Sequence, residues 1–225
     1  MDNKIWKPVL PPFRRYKKKI FSEVIKTSGL VYQIGESDQL RKPSNIVPVE
    51  DIKSEEFQKK IKYLKKVLLK YRKLTGKGRG VTAVQVGIQQ RFSVIYMPAR
   101  HARQVTGVAG GPQIKGNLMV IINPQITKKS TKLYRYPEIC MSANPIIAQV
   151  SRSSWIEFEY YDENGKKKYW DKKDTDKDGK MYNRVFQHEI DHMDGIINID
   201  KVDSKELILE SDPHFYDNAK FEVVE

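Results

Sequence analysis

The sequence predicts an α+β fold, because a long amphipathic helix near the start is followed by several short strands and then by a second helix. Hydrophobic residues make up 39% of the 225-residue chain, which is enough for a core and too much for a disordered protein. No stretch approaches the roughly 18 uncharged apolar residues that a membrane helix needs. We therefore expect one domain with a segment added at an end, and no membrane partner.

The first helix is predicted from Glu50 onward. Its apolar residues recur at intervals that place them on one face of a helix, and lysines fill the other face. These apolar residues are Ile52, Phe57, Ile61, Leu64, Val67, Leu68 and Tyr71. Gly76 and Gly78 end the pattern, as glycine commonly does at a helix C-terminus.

Strands are predicted where short apolar or alternating runs follow this helix. Residues 92–96 and 118–123 fit strands, and Asn123-Pro124 closes the second of them. Residues 155–160 alternate between apolar and polar side chains, and turn residues lead from them into residues 168–170. This pattern indicates a β-hairpin.

The second helix carries an H-E-x-x-H motif at residues 188–192. Met181, Val185, His188 and His192 share one helical face, so both imidazoles can reach one ion. Glu189, beside the first histidine, then lies close to the water that such an ion activates. The alternative is a surface helix on which two histidines happen to lie near carboxylates.

Two histidines do not complete a hydrolytic metal site, which needs three protein ligands and one open position. The candidates for the third ligand are Cys140, His214, Glu206 and Glu210. A thiolate is the strongest of these donors for a soft or borderline divalent ion. Cys140 is the chain's one cysteine, which excludes an intramolecular disulfide and favours a reducing compartment. Spacing alone leaves a thiolate site and a glutamate-ligated protease site open.

Three stretches resemble the signature motifs of the peptide deformylase family, in the family's order. Residues 78–85 (GRGVTAVQ) resemble G-x-G-L-A-A-x-Q, and residues 138–142 (EICMS) resemble E-G-C-L-S. Residues 187–192 (QHEIDH), followed by Gly195, resemble Q-H-E-x-D-H-L-x-G. The resemblance implies antiparallel β-sheets packed around a central metal-binding helix, with an N-terminal helical extension. It implies a hydrolase that removes the N-formyl group from the initiator formyl-methionine of nascent polypeptides.

The resemblance also implies roles for particular residues. Cys140, His188 and His192 bind one divalent metal ion, usually ferrous iron in the family, although zinc, nickel and cobalt accept the same ligands. Glu189 carries the proton from the attacking water to the departing amine. The oxyanion is stabilised by two donors, the side-chain amide of Gln85 and the backbone N–H of Met141.

A substrate pocket is implied by the same motifs. Gly78 and Gly80 let the backbone approach the substrate without a Cβ in the way. Glu138, Met181 and Tyr136 are expected to line the pocket for the methionine side chain. The alternatives are that the two glycines only stop a helix and that Met181 is ordinary core.

The chain departs from the family pattern at two places that affect these expectations. Ile139 stands where the family has glycine, and a β-branched residue does not adopt positive φ cheaply. Either the backbone there has negative φ, or the loop is remodelled and the cleft narrowed. Thr82 stands where the family has alanine, and its hydroxyl needs a partner if it is buried.

Charge divides the chain into three parts. The formal net charge is +13, and residues 1–80 contain 21 Lys and Arg against 8 Asp and Glu, whereas residues 81–225 contain 20 of each. We expect a basic N-terminal extension (1–33) with a short helix around residues 20–26, a catalytic domain (34–203) and an acidic tail (204–225). The excess of basic residues either keeps the protein soluble or binds a polyanion, and the polyanion that we expect is ribosomal RNA.

Two other functions compete with deformylation of nascent chains. One is a metalloprotease whose histidine pair is completed by Glu206 or Glu210, and the other is a catalytically lapsed family member that binds the ribosome or RNA. The N-terminus lacks the apolar segment of a secretory signal, and Asp2, Glu23 and the scarcity of serine argue against a mitochondrial transit peptide. We expect a cytoplasmic bacterial protein, with import into an organelle as the alternative.

Overall fold

The computed structural model describes residues 22–98, 116–171, 177–209 and 220–224 of the chain. Two antiparallel sheets and two long helices make up this part of the fold. The five-stranded sheet has the order β1-β2-β3-β6-β7. Its strands are β1 (Gly80–Thr82), β2 (Phe92–Pro98), β3 (Gly116–Lys129), β6 (Ile156–Tyr161) and β7 (Lys167–Trp170).

The four-stranded sheet has the order β8-β5-β4-β9. Its central strands are β4 (Leu133–Ile139) and β5 (Ile146–Ser153), and its edges are β8 (Leu207–Leu209) and β9 (Glu222–Val224). Both edges therefore come from the stretch predicted as an acidic tail, in which the structure describes residues 204–209 and 220–224. The division of the chain at residue 203 stays a prediction.

Helix α1 (Glu55–Thr75) covers one face of the five-stranded sheet. All seven apolar residues predicted to line this helix are buried. The predicted start at Glu50 was wrong by five residues, because Val49–Lys53 forms a 3₁₀ turn and Ser54 is extended. The Ser54 hydroxyl caps the helix by accepting a hydrogen bond from the Phe57 N–H. Gly76 ends it with a left-handed φ of 72°, as predicted.

Helix α2 (Lys177–Met193) packs on the opposite face of the same sheet and also contacts β5 of the second sheet. Successive residues of β2 point to opposite faces, so Val94 packs toward α1 while Ile95 packs toward α2. The helix therefore lies between the two sheets. Its apolar residues face the first sheet, which leaves its histidines free to meet residues of the second.

The predicted strands are present with changed limits. The predicted hairpin is β6–β7, in which Phe158 lies opposite Trp170. Strand β3 does not close at Asn123-Pro124 as predicted, because irregular pairing with β6 and a φ of 51° at Asn123 let the strand continue. Strands β4 and β5 were not predicted.

The N-terminal extension was predicted to contain a helix around residues 20–26, and residues 22–28 are helical. Residues 1–21, which hold its main basic run, lie outside the described part of the chain. Val31 is buried against the α1 core, so the end of the extension meets the domain. No helix among the described residues is both long enough and apolar enough to cross a lipid bilayer.

Candidate metal centre and active site

Cys140, His188 and His192 converge on one point between α2 and the four-stranded sheet. Cys140 follows the end of β4, and the histidines lie one helical turn apart on α2. The Cys140 Sγ and His192 Nε2 atoms are 3.1 Å apart, and one ligand atom from each residue lies within 4.8 Å of the other two. In the described part of the chain no other group of His, Cys, Asp and Glu is arranged in this way.

The donor set fits a divalent cation. Burial lowers the pKa of His192 well below its ordinary value, so this imidazole is neutral and available as a ligand. Burial alone would lower the pKa of His188 as well, but hydrogen bonds to Cys140 and Glu138 outweigh burial and raise that pKa to about 10. Since a metal competes with this proton, binding releases a proton and the affinity depends on pH.

The other candidates for the third ligand do not join this group. Glu206 forms an ion pair with Arg135 at 3.1 Å instead. His214 and Glu210 lie outside the described residues. Among described residues, the geometry therefore favours the thiolate site over the glutamate-ligated protease site.

Glu138 fixes the orientation of His188. Its Oε2 accepts a hydrogen bond from His188 Nδ1 at 3.0 Å, which leaves Nε2 of the same ring for a metal. Burial would raise the pKa of Glu138, but Arg152 and Arg184 keep it well below the ordinary value. Arg152 donates to both carboxylate oxygens, at 2.6 and 2.9 Å.

This buried network continues along α2. A third hydrogen bond from Arg152 reaches the Asp191 carboxylate at 2.6 Å. Arg152 on β5 therefore links Glu138 on β4 to the residue that precedes His192 on the helix. The network joins the four-stranded sheet to α2 next to the proposed ligands His188 and His192.

Glu189 is buried against β1. Its Oε2 accepts a hydrogen bond from the Thr82 hydroxyl at 2.6 Å, and its side chain fills the space left by the missing Cβ of Gly80. Burial raises the pKa of Glu189, against the opposing effects of the His188 charge and the Thr82 hydrogen bond. A carboxyl group with a raised pKa is suited to accepting a proton and releasing it again.

Gln85 lies beside Cys140, one of the proposed metal ligands. Its Oε1 accepts from the Thr82 backbone N–H at 2.8 Å, and its Nε2 donates to the Ser142 hydroxyl at 3.0 Å. The second Nε2 hydrogen bond, to Cys140 Sγ, is long at 3.8 Å. No acceptor for the Met141 backbone N–H occurs among the described residues, whereas the Met141 carbonyl accepts from Gln33 at 3.1 Å.

The model of the polypeptide deformylase family matches residues 31–207 of this chain. The chain belongs to the polypeptide deformylase family. A peptide deformylase of Prochlorococcus marinus (strain NATL2A) is 36% identical over 177 residues, which cover 78% of this chain and 74% of the relative. The chloroplastic peptide deformylase 1A of Solanum lycopersicum is 30% identical over 192 residues, which cover 83% of this chain and 61% of the relative.

Solved deformylase structures have the same fold. A probable peptide deformylase from Synechococcus phage S-SSM7 superposes with a TM-score of 0.58 at 26% identity, over 76% of this chain and 98% of that one. The Ehrlichia chaffeensis peptide deformylase in complex with actinonin gives a TM-score of 0.61 at 23% identity, over 78% and 88% of the two chains. The latter likeness shows the fold alone.

The substrate pocket of this deformylase family member stays a prediction. Glu138 is nearly inaccessible and occupied with His188 and Arg152. Met181 is partly buried on α2, and the buried Tyr136 ring stacks on Phe221 at 4.3 Å between centroids. A Cβ on Gly78 would lie 3.0 Å from the Tyr71 ring and 3.6 Å from Met141 Cε.

Ile139 does not require a remodelled loop. It is the last residue of β4 and pairs with Ile147 on β5, and Asn123 is the one non-glycine residue with positive φ in the described part of the chain. The backbone at Ile139 is thus compatible with a β-branched residue. The structure therefore supports negative φ at Ile139 and not a remodelled loop.

Sequence reasoning missed three residues of the site: Thr82, Ser93 and Arg152. Thr82 carried a signal, because a hydroxyl in a stretch of otherwise apolar motif residues needs a buried partner. Ser93 and Arg152 carried none, since their positions depend on how β2 and β5 pair with their neighbours.

Proposed function

We propose that this chain hydrolyses the N-formyl amide of formyl-methionyl peptides and so removes the formyl group from nascent polypeptides. One observation carries the proposal: the Cys140 thiol and the two histidines converge in a chain of the polypeptide deformylase family, and the buried Glu189 is near enough to His188 for the His188 charge to act on its pKa. We expect the protein to act in a compartment where protein synthesis starts with formyl-methionine, and we take this compartment to be the bacterial cytoplasm.

We assign the metal ion to Cys140, His188 and His192, and we propose ferrous iron as the ion. Zinc, nickel and cobalt accept the same donors. When bound, the cation supplies a nucleophile by lowering the pKa of a coordinated water toward neutrality. Glu138 contributes by holding His188 in the tautomer that presents Nε2.

Glu189 is proposed as the proton carrier. Because the Thr82 hydroxyl donates a hydrogen bond to Oε2 of Glu189, Oε1 is the oxygen that remains to accept the proton of the attacking water. The same oxygen then delivers that proton to the methionine nitrogen as the carbon–nitrogen bond breaks, which gives formate and a free amine. Burial strengthens these interactions because little water screens them.

The developing oxyanion needs fixed donors. We assign this role to the Gln85 Nε2–H that makes the long contact with Cys140 Sγ, and to the Met141 backbone N–H. Both donors flank Cys140, and the Gln85 amide is oriented by its hydrogen bonds to Thr82 and Ser142. Such orientation before substrate binding avoids reorganisation during the reaction.

The test is formate release from formyl-Met-Ala-Ser, with unformylated Met-Ala-Ser as the substrate control, after anaerobic purification and metal analysis. We expect stoichiometric formate from the formylated peptide and a roughly 10²- to 10⁴-fold lower kcat for Glu189→Gln. Glu206→Gln is the matched control, because the structure pairs Glu206 with Arg135. Loss of metal from that control would favour the protease, and a folded, iron-loaded protein that releases no formate would favour the lapsed family member.

We further propose that the basic N-terminal region, residues 1–80, contacts ribosomal RNA. Its described part contains a row of four exposed lysines, Lys62, Lys66, Lys70 and Lys73, at helical spacing along α1. None of the four has an ion pair with another residue in the described ranges, whereas the lysines nearer the helix start pair with glutamates at 2.7 Å. A row of unpaired cations about 16 Å long can neutralise several phosphates of a nucleic-acid backbone.

The measurement is binding to ribosomes at several salt concentrations. Replacing the four lysines of the row by glutamine should weaken binding several-fold and flatten its salt dependence. The matched control replaces four exposed lysines outside α1, Lys129, Lys132, Lys166 and Lys168, with the same loss of charge. A chain starting at residue 22 tests the segment ahead of the domain. Equal weakening by both lysine sets would show that net charge, not this surface, governs binding.

A further inference from the structure

We propose that Thr82 is a positioning residue for this hydrolysis, in that its hydroxyl, itself fixed by Ser93, holds the Glu189 carboxylate in place for proton transfer. The inference rests on the proposed function of Glu189. It assigns roles to the hydroxyls of Thr82 and Ser93, which were not among the site residues predicted from the sequence. Thr82 of β1 makes three contacts that orient groups of the site.

The first contact is a hydroxyl pair buried between β1 and β2. Thr82 and Ser93 lie opposite each other in the register of these strands, and both are fully buried. Their hydroxyl oxygens are 2.5 Å apart. Each hydroxyl has one proton to donate, so a Thr82 proton directed at Glu189 requires that Ser93 donates to Thr82. The two hydroxyls form a chain of donors that ends on the carboxylate, and such chains strengthen each member bond.

The second contact is the hydrogen bond to the carboxylate itself. Thr82 Oγ1 donates to Glu189 Oε2 at 2.6 Å, which is the short distance expected for an ionised acceptor. The opposite oxygen faces Gly80, whose missing Cβ leaves the room that the carboxylate fills. Residues 80 and 82 point to the same side of β1 because side chains alternate along a strand. Strand β1 therefore contacts the carboxylate on two sides, through the Thr82 hydroxyl and through Gly80.

The third contact links the same residue to the oxyanion donor. The Thr82 backbone N–H donates to Gln85 Oε1 at 2.8 Å and so turns the Gln85 Nε2 toward Cys140. One residue therefore orients both the proton carrier and an oxyanion donor. Substitution of the side chain removes the first link and leaves the second, so the two effects can be separated by experiment.

The experiment compares Thr82→Val, Thr82→Ala and Thr82→Ser in iron-loaded protein of equal metal content. We expect Val and Ala to lower kcat about tenfold with KM changed by less than about twofold, because they remove a hydrogen bond to a charged group that matters after substrate has bound. Ser keeps the hydroxyl and should restore kcat to within about threefold of the parent. Ser93→Ala should give a loss between these two.

The control is Thr27→Ala, which removes an equally buried threonine hydroxyl that bonds to backbone carbonyls of its own helical turn. Its kcat should equal that of the parent. Equal losses in Thr82→Ser and Thr82→Ala would overturn the proposal, since packing and not the hydroxyl would then matter. A kcat unchanged in both Val and Ala would overturn it as well.

A second measurement is independent of catalysis. Urea unfolding of metal-free protein with Thr82→Val, Glu189→Gln and both changes forms a double-mutant cycle. The proposal expects the two changes to be non-additive in the unfolding midpoint, and additive shifts would overturn it. Coupling seen together with an unchanged kcat in Glu189→Gln would leave the contact intact and would count against the proposed function of Glu189 instead.

Discussion

Gly80→Ala is the substitution that most directly tests whether the position of the Glu189 carboxylate matters. An alanine Cβ at this position would lie 2.6 Å from Glu189 Cδ and 2.8 Å from Cγ, and closer still to Oε1. Real Cβ atoms essentially never come this near, and ordinary contact begins at 3.4 Å. Because Gly80 does not have positive φ, the backbone itself accepts alanine. The clash therefore has to be relieved by the glutamate side chain.

The size of the effect follows from these distances. To restore ordinary contact the carboxylate must move by about 1 Å, which also breaks its hydrogen bond to Thr82. A misplacement of about 1 Å can lower a rate on the order of 100-fold, and we expect that loss in kcat for formate release. Metal content should stay at one ion per chain, since Cys140, His188 and His192 are not among the nearest neighbours of this Cβ.

Gly29→Ala serves as the matched control, because a Cβ there meets no atom within 4 Å. It should leave both kcat and metal content unchanged. The reasoning would be refuted by a Gly80→Ala enzyme that holds a full complement of metal and keeps kcat within about threefold of the parent. That result would mean that the proton carrier tolerates displacement or is another group.

Three further substitutions test a proposed metal ligand and the buried hydrogen-bond network next to it. Cys140→Ser should lose its metal on dialysis, as measured by metal analysis, because a hydroxyl is a much poorer ligand than a thiolate; full retention would exclude Cys140 as a ligand. Arg152→Met removes the buried cation that bridges Glu138 and Asp191, and it leaves them the longer ion pairs to Arg184 and Lys201, both at 3.3 Å. It should cost about 3 kcal/mol in urea unfolding of metal-free protein, and a change below about 1 kcal/mol would contradict this. Since the pKa of Glu138 is lowered in the folded chain, the stability it contributes is present above pH 4.5 and is lost as the pH falls. Glu138→Gln should therefore flatten the loss of stability on acidification, and an unchanged slope would speak against the pairing.

The parts of the fold that were predicted from sequence are those whose signal is local. Helix α1 was predicted because its seven apolar residues repeat at helical spacing, and the hairpin β6–β7 because alternation and turn residues lie close together in the chain. Strand β4 was missed because Pro137, which cannot donate a backbone hydrogen bond to a neighbouring strand, lies within it. Its neighbour β9 lies some 90 residues later, and no local pattern reports such a pairing.

The residues of the candidate site show the same contrast between local signals and long-range pairing. The histidine pair and Glu189 were proposed from the spacing of the H-E-x-x-H motif, whereas Cys140 was proposed as the third ligand from the resemblance to the deformylase family. The groups that orient them could not be predicted, since Arg152 meets Glu138 only through the register of β4 with β5, and Ser93 meets Thr82 only through that of β1 with β2. Sequence therefore names the reacting groups more readily than the groups that hold them.

The two sheets hold different halves of the proposed chemistry. The four-stranded sheet supplies Cys140 and, through Glu138, the orientation of His188, whereas β1 of the five-stranded sheet holds Glu189. Helix α2 carries a residue of each half at adjacent positions, 188 and 189, whose side chains diverge by about 100° around the helix axis. A shift of α2 relative to the five-stranded sheet would separate Glu189 from Thr82, and a shift relative to the four-stranded sheet would separate the histidines from Cys140 and Glu138. The fixed position of this helix between the sheets is therefore what makes the two halves one site.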